Sequence, residues 1–546
     1  MKIIKNLISI YKKIINYLFK LIKKIIIIFI FLKIIFYVFN YLIIYKNKII
    51  LNYNVKKVLL FDIKGIISDE KNTNNIKEKI NYNLFKFKNT LFDIIKIIRS
   101  AKKNKNITGI ILKLNKFLGA NQTSLKYIGK VLNEFKKSGK PIFAISDNYN
   151  KSQYYLASFA NYIYIYPNGI LNLYELNNDK IYYKSLLNKL KINCHIYRIG
   201  IEKTAIEPYI YDKMPKKTKH LENKLLNKLW LNYIYDISKN RKIKLYENPK
   251  NILKFIKFTL KKKNNNKYNF NRILIDKIIT KKQIKKEFID FFGLNKYKNN
   301  YKFISFYNYK IKNINTNINK NEIAIIFING KIINSKNIYQ VSSSKKIINK
   351  LKKAKLNNNI KAIILFINSP GGSIEASEKI SSEILNIRKL GKPVIALMGN
   401  ICASGGYWIS TAANYIIADS NTITGSIGVF TIINTYEKFL NSFGIHYDSS
   451  NESPLSNLNF VKPLSKYLSK LIELNVKNGY IKFIKLICKR RNIDVKKIIQ
   501  LSQGNIFLGE EAKKNKLIDQ IGDFDDAIKK IIELSKLKYW HLNWII

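Results

Sequence analysis

The sequence predicts an α/β fold built twice in tandem and preceded by one N-terminal transmembrane helix. Three observations lead there. Apolar runs of strand length alternate with helical stretches through most of the chain, the pattern of layered strands and helices. Four segments recur in the same order at an offset of roughly 250 to 265 residues. One nearly continuous apolar run near the start has the length of a bilayer crossing.

That run covers residues 25–45 and is broken only by Lys33 and Asn40. A helix needs about 20 apolar residues to cross a bilayer. Seven lysines precede it, from Lys2 to Lys24, and no alanine occurs before Ala101, so an Ala-x-Ala cleavage site is missing. The expectation is an uncleaved anchor with its N-terminus in the cytoplasm. Lys33 would face a partner or snorkel to the interface. A buried or interfacial helix is the alternative.

The recurring segments follow. Val58-Leu-Leu-Phe-Asp-Ile-Lys-Gly65 resembles Ile323-Ala-Ile-Ile-Phe-Ile-Asn-Gly330. Ile107-Thr-Gly-Ile-Ile-Leu-Lys-Leu-Asn115 resembles Ile360-Lys-Ala-Ile-Ile-Leu-Phe-Ile-Asn368. Gly139-Lys-Pro-Ile-Phe-Ala144 resembles Gly391-Lys-Pro-Val-Ile-Ala396, and Tyr155-Leu-Ala-Ser-Phe-Ala-Asn161 resembles Trp408-Ile-Ser-Thr-Ala-Ala-Asn414. They set the expected organisation: 1–48 as basic segment and anchor, 49–294 as the first repeat, 295–321 as an Asn/Lys-rich linker, and 322–546 as the second repeat.

The formal net charge of +63 would ordinarily suggest nucleic acid or an anionic surface. Here Lys, Ile and Asn are in excess everywhere, as a bias toward A+T-rich codons would produce. The few arginines are scattered, so no nucleic-acid partner is expected. Cys194, Cys402 and Cys488 have neither pairing nor metal spacing, and His195, His220, His446 and His541 draw no His-Glu-x-x-His site. Neither a metal nor a cofactor is expected.

The repeats diverge where chemistry would sit. The second has Asn368-Ser-Pro-Gly-Gly-Ser373 where the first has Asn115-Lys-Phe-Leu-Gly-Ala120. The second also has Gly399-Asn-Ile-Cys-Ala-Ser404-Gly-Gly-Tyr-Trp408, after a buried-strand pattern over 393–398 and before a helical pattern over 405–413. Ser404 thus stands at a strand-to-helix turn, facing the free N–H groups of a helix start. It is a candidate nucleophile; the alternative is a serine that only caps the helix. The first repeat has no serine followed by two glycines there.

A nucleophilic serine needs a base. The second repeat has no lysine over 449–461, but the first has Lys203-Thr-Ala-Ile-Glu-Pro208 in the corresponding place. Taken alone, Lys203 reads by default as a solvated charge in a chain this rich in lysine.

The runs Asn368-Ser-Pro-Gly-Gly-Ser373, Ala403-Ser-Gly-Gly-Tyr-Trp-Ile-Ser-Thr411, Thr424-Gly-Ser-Ile-Gly428, Lys203-Thr-Ala-Ile-Glu-Pro208, Gln503-Gly-Asn-Ile-Phe-Leu-Gly-Glu-Glu-Ala512 and Asp519-Gln-Ile-Gly-Asp523 together resemble the bacterial signal peptide peptidases. The similarity is to their long, two-repeat form, also called protease IV. It implies a Clp/crotonase-like fold in each repeat. It also implies a serine–lysine dyad of Ser404 and Lys203, with Ser426 orienting the amine and the Gly372 and Gly405 amides as oxyanion donors. It further implies apolar extended peptides such as cleaved signal peptides as substrates, a homotetramer, and the lipid bilayer as a partner. The expected location is the bacterial inner membrane, single-pass, with the catalytic part on the periplasmic side. The competing readings are an inactive anchored scaffold of the same fold, a crotonase-like acyl-CoA enzyme, and a Ser-His-Asp protease using His446.

Overall fold

A computed structural model describes residues 31–38, 56–70, 89–243, 274–311, 321–334, 341–448, 450 and 459–545. The chain divides into two compact units, Met1–Lys57 with Lys105–Ile107, and Val58–Asn104 with Thr108–Ile546. In the first, residues 31–38 are helical and exposed. The second holds the candidate site and, but for Lys57 and Ile107, the strands of the two largest sheets.

The first half of the chain contributes strands β1 (Lys57–Asp62), β2 (Ile107–Lys113), β3 (Ile142–Ser146), β4 (Tyr162–Ile165), β5 (Asn193–Ile199), β6 (Lys277–Ile278) and β7 (Phe303–Ser305). The second half contributes β8 (Glu322–Asn329), β9 (Ile360–Ser369), β10 (Val394–Ala403), β11 (Tyr415–Ala418), β12 (Ile423–Gly425), β13 (Val429–Thr435), β14 (Ile506–Leu508), β15 (Gln520–Ile521) and β16 (His541–Trp544). One sheet runs β7-β1-β2-β3-β4-β6; the other runs β14-β12-β10-β9-β8-β16, with β11 on β10 and β15 on β11. The path β16-β8-β9-β10-β11-β15 repeats the first sheet strand for strand. Three of the four matched sequence segments thus mark equivalent strands in two like sheets, and the fourth marks the helix and turn that follow β3 and β10. Strand β7 lies inside the stretch expected to be linker and pairs in parallel with β1, Val58 opposite Phe303.

Apolar content explains the sheets. A parallel sheet covered on both faces needs strands apolar on both sides. In β8 the residues from Ile323 to Ile328 are all buried, and in β9 so are those from Ala362 to Ile367. Trp408, Phe483 and Ile487 pack into the same core. Strand β10 is longer than its apolar pattern suggested. It pairs with β11 at Ile395–Leu397 and then with β12 at Ile401–Ala403. The helix after it ends earlier than expected, running Gly405–Ser410 instead of to 413.

The halves are joined by an antiparallel ribbon. All of β5 pairs with all of β13, from Ile199 opposite Val429 to Asn193 opposite Thr435.

The expected transmembrane helix requires correction. Among the described residues no helix is long and apolar enough to cross a membrane. The two helices of sufficient length, Lys216–Arg241 and Lys466–Arg491, have 26 residues each but carry lysine or arginine through most of their turns. The placements that depended on the anchor fall with it: the fold class that included it, the bilayer partner, the single-pass inner-membrane location and a membrane-anchored function. Apart from 31–38, the expected span at 25–45 lies outside the described residues.

Candidate active site

The ribbon brings two chain segments to one place. Beyond Ile199 the first half continues through Gly200-Ile-Glu202 to Lys203. Preceding Val429 in the second half come Ser426-Ile-Gly428. Lys203 Nζ lies 2.6 Å from the Ser426 main-chain oxygen, 3.0 Å from Ser426 Oγ and 3.1 Å from Ser404 Oγ. Three residues up to 223 positions apart in sequence therefore share one amine.

Ser404 follows directly on β10, and its N–H donates to the Gly425 oxygen at 2.9 Å. Its backbone has φ 53 and ψ −117. A non-glycine residue there is strained by about 1–3 kcal/mol and persists only where its surroundings hold it. The side chain makes no helix-capping hydrogen bond. Ser426 is also left-handed, at φ 49, and its N–H donates to the Asn505 oxygen at 2.6 Å.

Lys203 is 5% exposed and is the one buried lysine among the described residues. Burial alone lowers its pKa from 10.5 to about 8, because the charged form is desolvated without a compensating anion. The neighbouring carboxylate, Glu202, pairs instead with Lys217 at 3.2 Å.

Gly372 and Gly405 meet across the same turn. A Cβ on Gly405 would sit 3.2 Å from the Gly372 nitrogen and 2.5 Å from Ser377 Oγ. A Cβ on Gly372, whose φ is 151, would sit 2.0 Å from the Ile332 oxygen. Ile332 N–H donates to the Gly371 oxygen and Ser373 N–H to the Ile332 oxygen, which leaves the Gly372 N–H pointing away from that bridge. Among the described residues neither the Gly372 nor the Gly405 N–H has an acceptor, as the oxyanion assignment requires of both.

One part of the site carried no role in the sequence reading. Gln503-Gly-Asn505 runs between the two arms: Glu202 N–H donates to the Gln503 oxygen at 2.6 Å, and Gly504 N–H to the Ile427 oxygen at 2.9 Å. A Cβ on Gly504 would sit 2.5 Å from the Lys203 nitrogen. The glycine between two polar residues was the available signal. His195, by contrast, hydrogen-bonds Thr435 within the ribbon, and His446 is exposed.

Comparisons with known proteins give the family of the chain. Residues 134–287 and 386–538 match Peptidase family S49, and residues 315–418 match Clp protease. The chain is 41% identical over 490 residues to Protease 4 of Salmonella typhi, covering 88% of this chain and 78% of that protein. It is 37% identical over 452 residues to Protease 4 of Haemophilus influenzae, covering 81% and 72%. With the chloroplastic serine protease SPPA of Arabidopsis thaliana it shares 27% identity over 438 residues, 78% of this chain and 63% of that protein.

Proposed function

From the premise that the chain belongs to Peptidase family S49 and is a serine peptidase related to Protease 4, we propose that it is an endopeptidase with Ser404 as nucleophile and Lys203 as base. It is read as a long, two-repeat member, with the base supplied by the first repeat and the nucleophile by the second. The observation that carries the reading is the 3.1 Å approach of a buried, uncompensated amine to a strained serine.

A neutral amine has two N–H donors and one lone pair. The Ser426 carbonyl and hydroxyl oxygens can accept the two N–H bonds, so the lone pair is left for the Ser404 O–H. At pH 7 a lysine of pKa about 8 is neutral in about one molecule in ten, some 300-fold more often than one of pKa 10.5.

Ser404 Oγ attacks the scissile carbonyl as its proton passes to Lys203 Nζ. The oxyanion forms beside the Gly372 and Gly405 N–H groups. The ammonium then protonates the leaving amine, and the peptide bond breaks to give the acyl-serine. Water attacks this ester with Lys203 again taking the proton, and the Ser404 oxygen leaves and is reprotonated. The substrate is an extended peptide laid across the exposed face of Gly372.

Ser404→Ala and Lys203→Ala should each abolish hydrolysis of an apolar fluorogenic peptide while circular dichroism stays near wild type and thermal unfolding remains cooperative. A Lys203→Ala protein that kept most of its activity would overturn the dyad.

A further inference from the structure

A carboxylate from the first half is buried against the glycine loop of the second. Asp69, 7% exposed, has no cationic partner among the described residues. Its oxygens accept from Ser124 Oγ at 2.7 Å, Asn368 Nδ2 at 2.9 Å and Asn121 Nδ2 at 3.3 Å. Burial raises its pKa, and the three hydrogen bonds oppose that rise.

Asn368 repairs a break in the sheet. From Ile367 to Ser369, β9 advances two residues, while its partner β10 advances four, from Met398 to Cys402. Such a bulge takes main-chain groups out of the ladder. Asn368 Oδ1 accepts the Ile401 N–H at 3.1 Å, and its main-chain oxygen accepts from Gly330 at 2.9 Å. A Cβ on Gly399 would sit 2.9 Å from Asn368 Cβ, so the bulge closes directly over this side chain. With its oxygen committed to Ile401, the amide must present its NH2 to an acceptor. Asp69 Oδ2 is that acceptor. Chain order then makes the contact matter: Asn368 leads into Ser369-Pro-Gly-Gly372, and Ile401 leads into Cys402-Ala-Ser404-Gly405.

We propose that Asp69 is a positioning residue for hydrolysis. By fixing the Asn368 amide against Ile401, it sets the spacing between the loop that carries Gly372 and the strand end that carries Ser404 and Gly405. This rests on the reading of Ser404 as nucleophile and of the two glycines as oxyanion donors. The first half then serves the site twice, through an amine and through a carboxylate.

A swap of the two side chains tests the pairing on the full chain with the same reporter peptide. Asn368→Asp sets two carboxylates face to face, which cannot both ionise at that distance. Its kcat should fall by about tenfold or more, with KM changed by less than about threefold, as misplaced oxyanion donors would produce. In Asp69→Asn/Asn368→Asp an amide again donates to a carboxylate that still accepts from Ile401, and kcat should return to within about threefold of wild type. Thermal unfolding of each variant separates folding from turnover. A folded Asn368→Asp with wild-type kcat overturns the proposal, as does a folded swap no better than Asn368→Asp. If Asn368→Asp does not fold, the swap decides alone: folded and active upholds the pairing, unfolded overturns it. Ser404→Ala in the same assay keeps the two readings apart. Hydrolysis by Ser404→Ala would overturn the dyad itself, whereas an inert Ser404→Ala beside an unimpaired Asn368→Asp overturns only the role of Asp69.

Discussion

Lys203 Nζ stands nearer to the main-chain oxygen of Ser426, at 2.6 Å, than to the hydroxyl of Ser404, at 3.1 Å. The amine is thus held by a fixed carbonyl and a neighbouring hydroxyl, and the Ser404 hydroxyl is its third contact. Removing the Ser426 hydroxyl leaves the carbonyl contact but frees the amine to rotate. Ser426→Ala should lower kcat by about 10- to 100-fold, the worth of one strong hydrogen bond, and leave KM within a few-fold. Steady-state kinetics on the reporter peptide checks both numbers.

The pH profile follows from the buried amine. The base must be neutral to work, so kcat/KM should rise with pH through an apparent pKa of about 8, where the free enzyme loses the Lys203 proton. A rate that is flat between about pH 6 and 9 would exclude lysine as the base.

Stability should carry the same signature. The folded pKa of Lys203 lies below its unfolded value, so between about 8 and 10.5 the unfolded chain binds more protons than the folded one. Stability contributed by this site therefore rises with pH across that window and is lowest below it. The full difference is about 3 kcal/mol. Lys203→Met removes the titrating group. Denaturant unfolding should show the variant gaining on wild type below about pH 8 and losing that advantage toward pH 10.

Gly504 makes a fourth prediction, because its backbone touches both arms of the site. Gly504→Ala places a methyl 2.5 Å from the Lys203 nitrogen, at a φ of 88 that alanine rarely adopts. Something must shift, and both Ile427 and Glu202, the residue before Lys203, are hydrogen-bonded to that loop. The expected result is a kcat loss of about 10²-fold or more, in the range seen when reacting groups are misplaced by an ångström. Far-ultraviolet circular dichroism should change little, since the loop lies outside the sheet interior.

Local pattern made some of this legible and left the rest hidden. Three of the four recurring segments fall on like strands of two like sheets, and the fourth falls on the helix and turn that follow β3 and β10, because apolar strand runs and the turns between them are encoded within a few neighbouring residues. The glycines beside Ser404 made it a candidate, but only the family resemblance paired it with Lys203, which by itself reads as a solvated charge; their side chains come within hydrogen-bond reach. Asp69 passed unremarked, and Gly504 stood only inside a family-like run with no role assigned, because their meaning lies in contacts with residues some 300 positions away, which no window of sequence contains. The β10 bulge was missed for a similar reason: it exists only relative to β9. The apolar run at 25–45 invited the anchor, but length and hydropathy report on a segment's capacity to span a bilayer, and no described helix has both.

The β5–β13 ribbon also bears on when such a chain could first act. Synthesis delivers Lys203 early and Ser404 much later, and the loop that clasps both arms comes only at residues 503–505 of 546. Under the proposed dyad, a chain still emerging from the ribosome holds a base with nothing to activate, then an alcohol whose partner is not yet clamped. Cutting power would arrive only after that loop has been made, a delay that shields the unfinished polypeptide, and its neighbours, from its own chemistry.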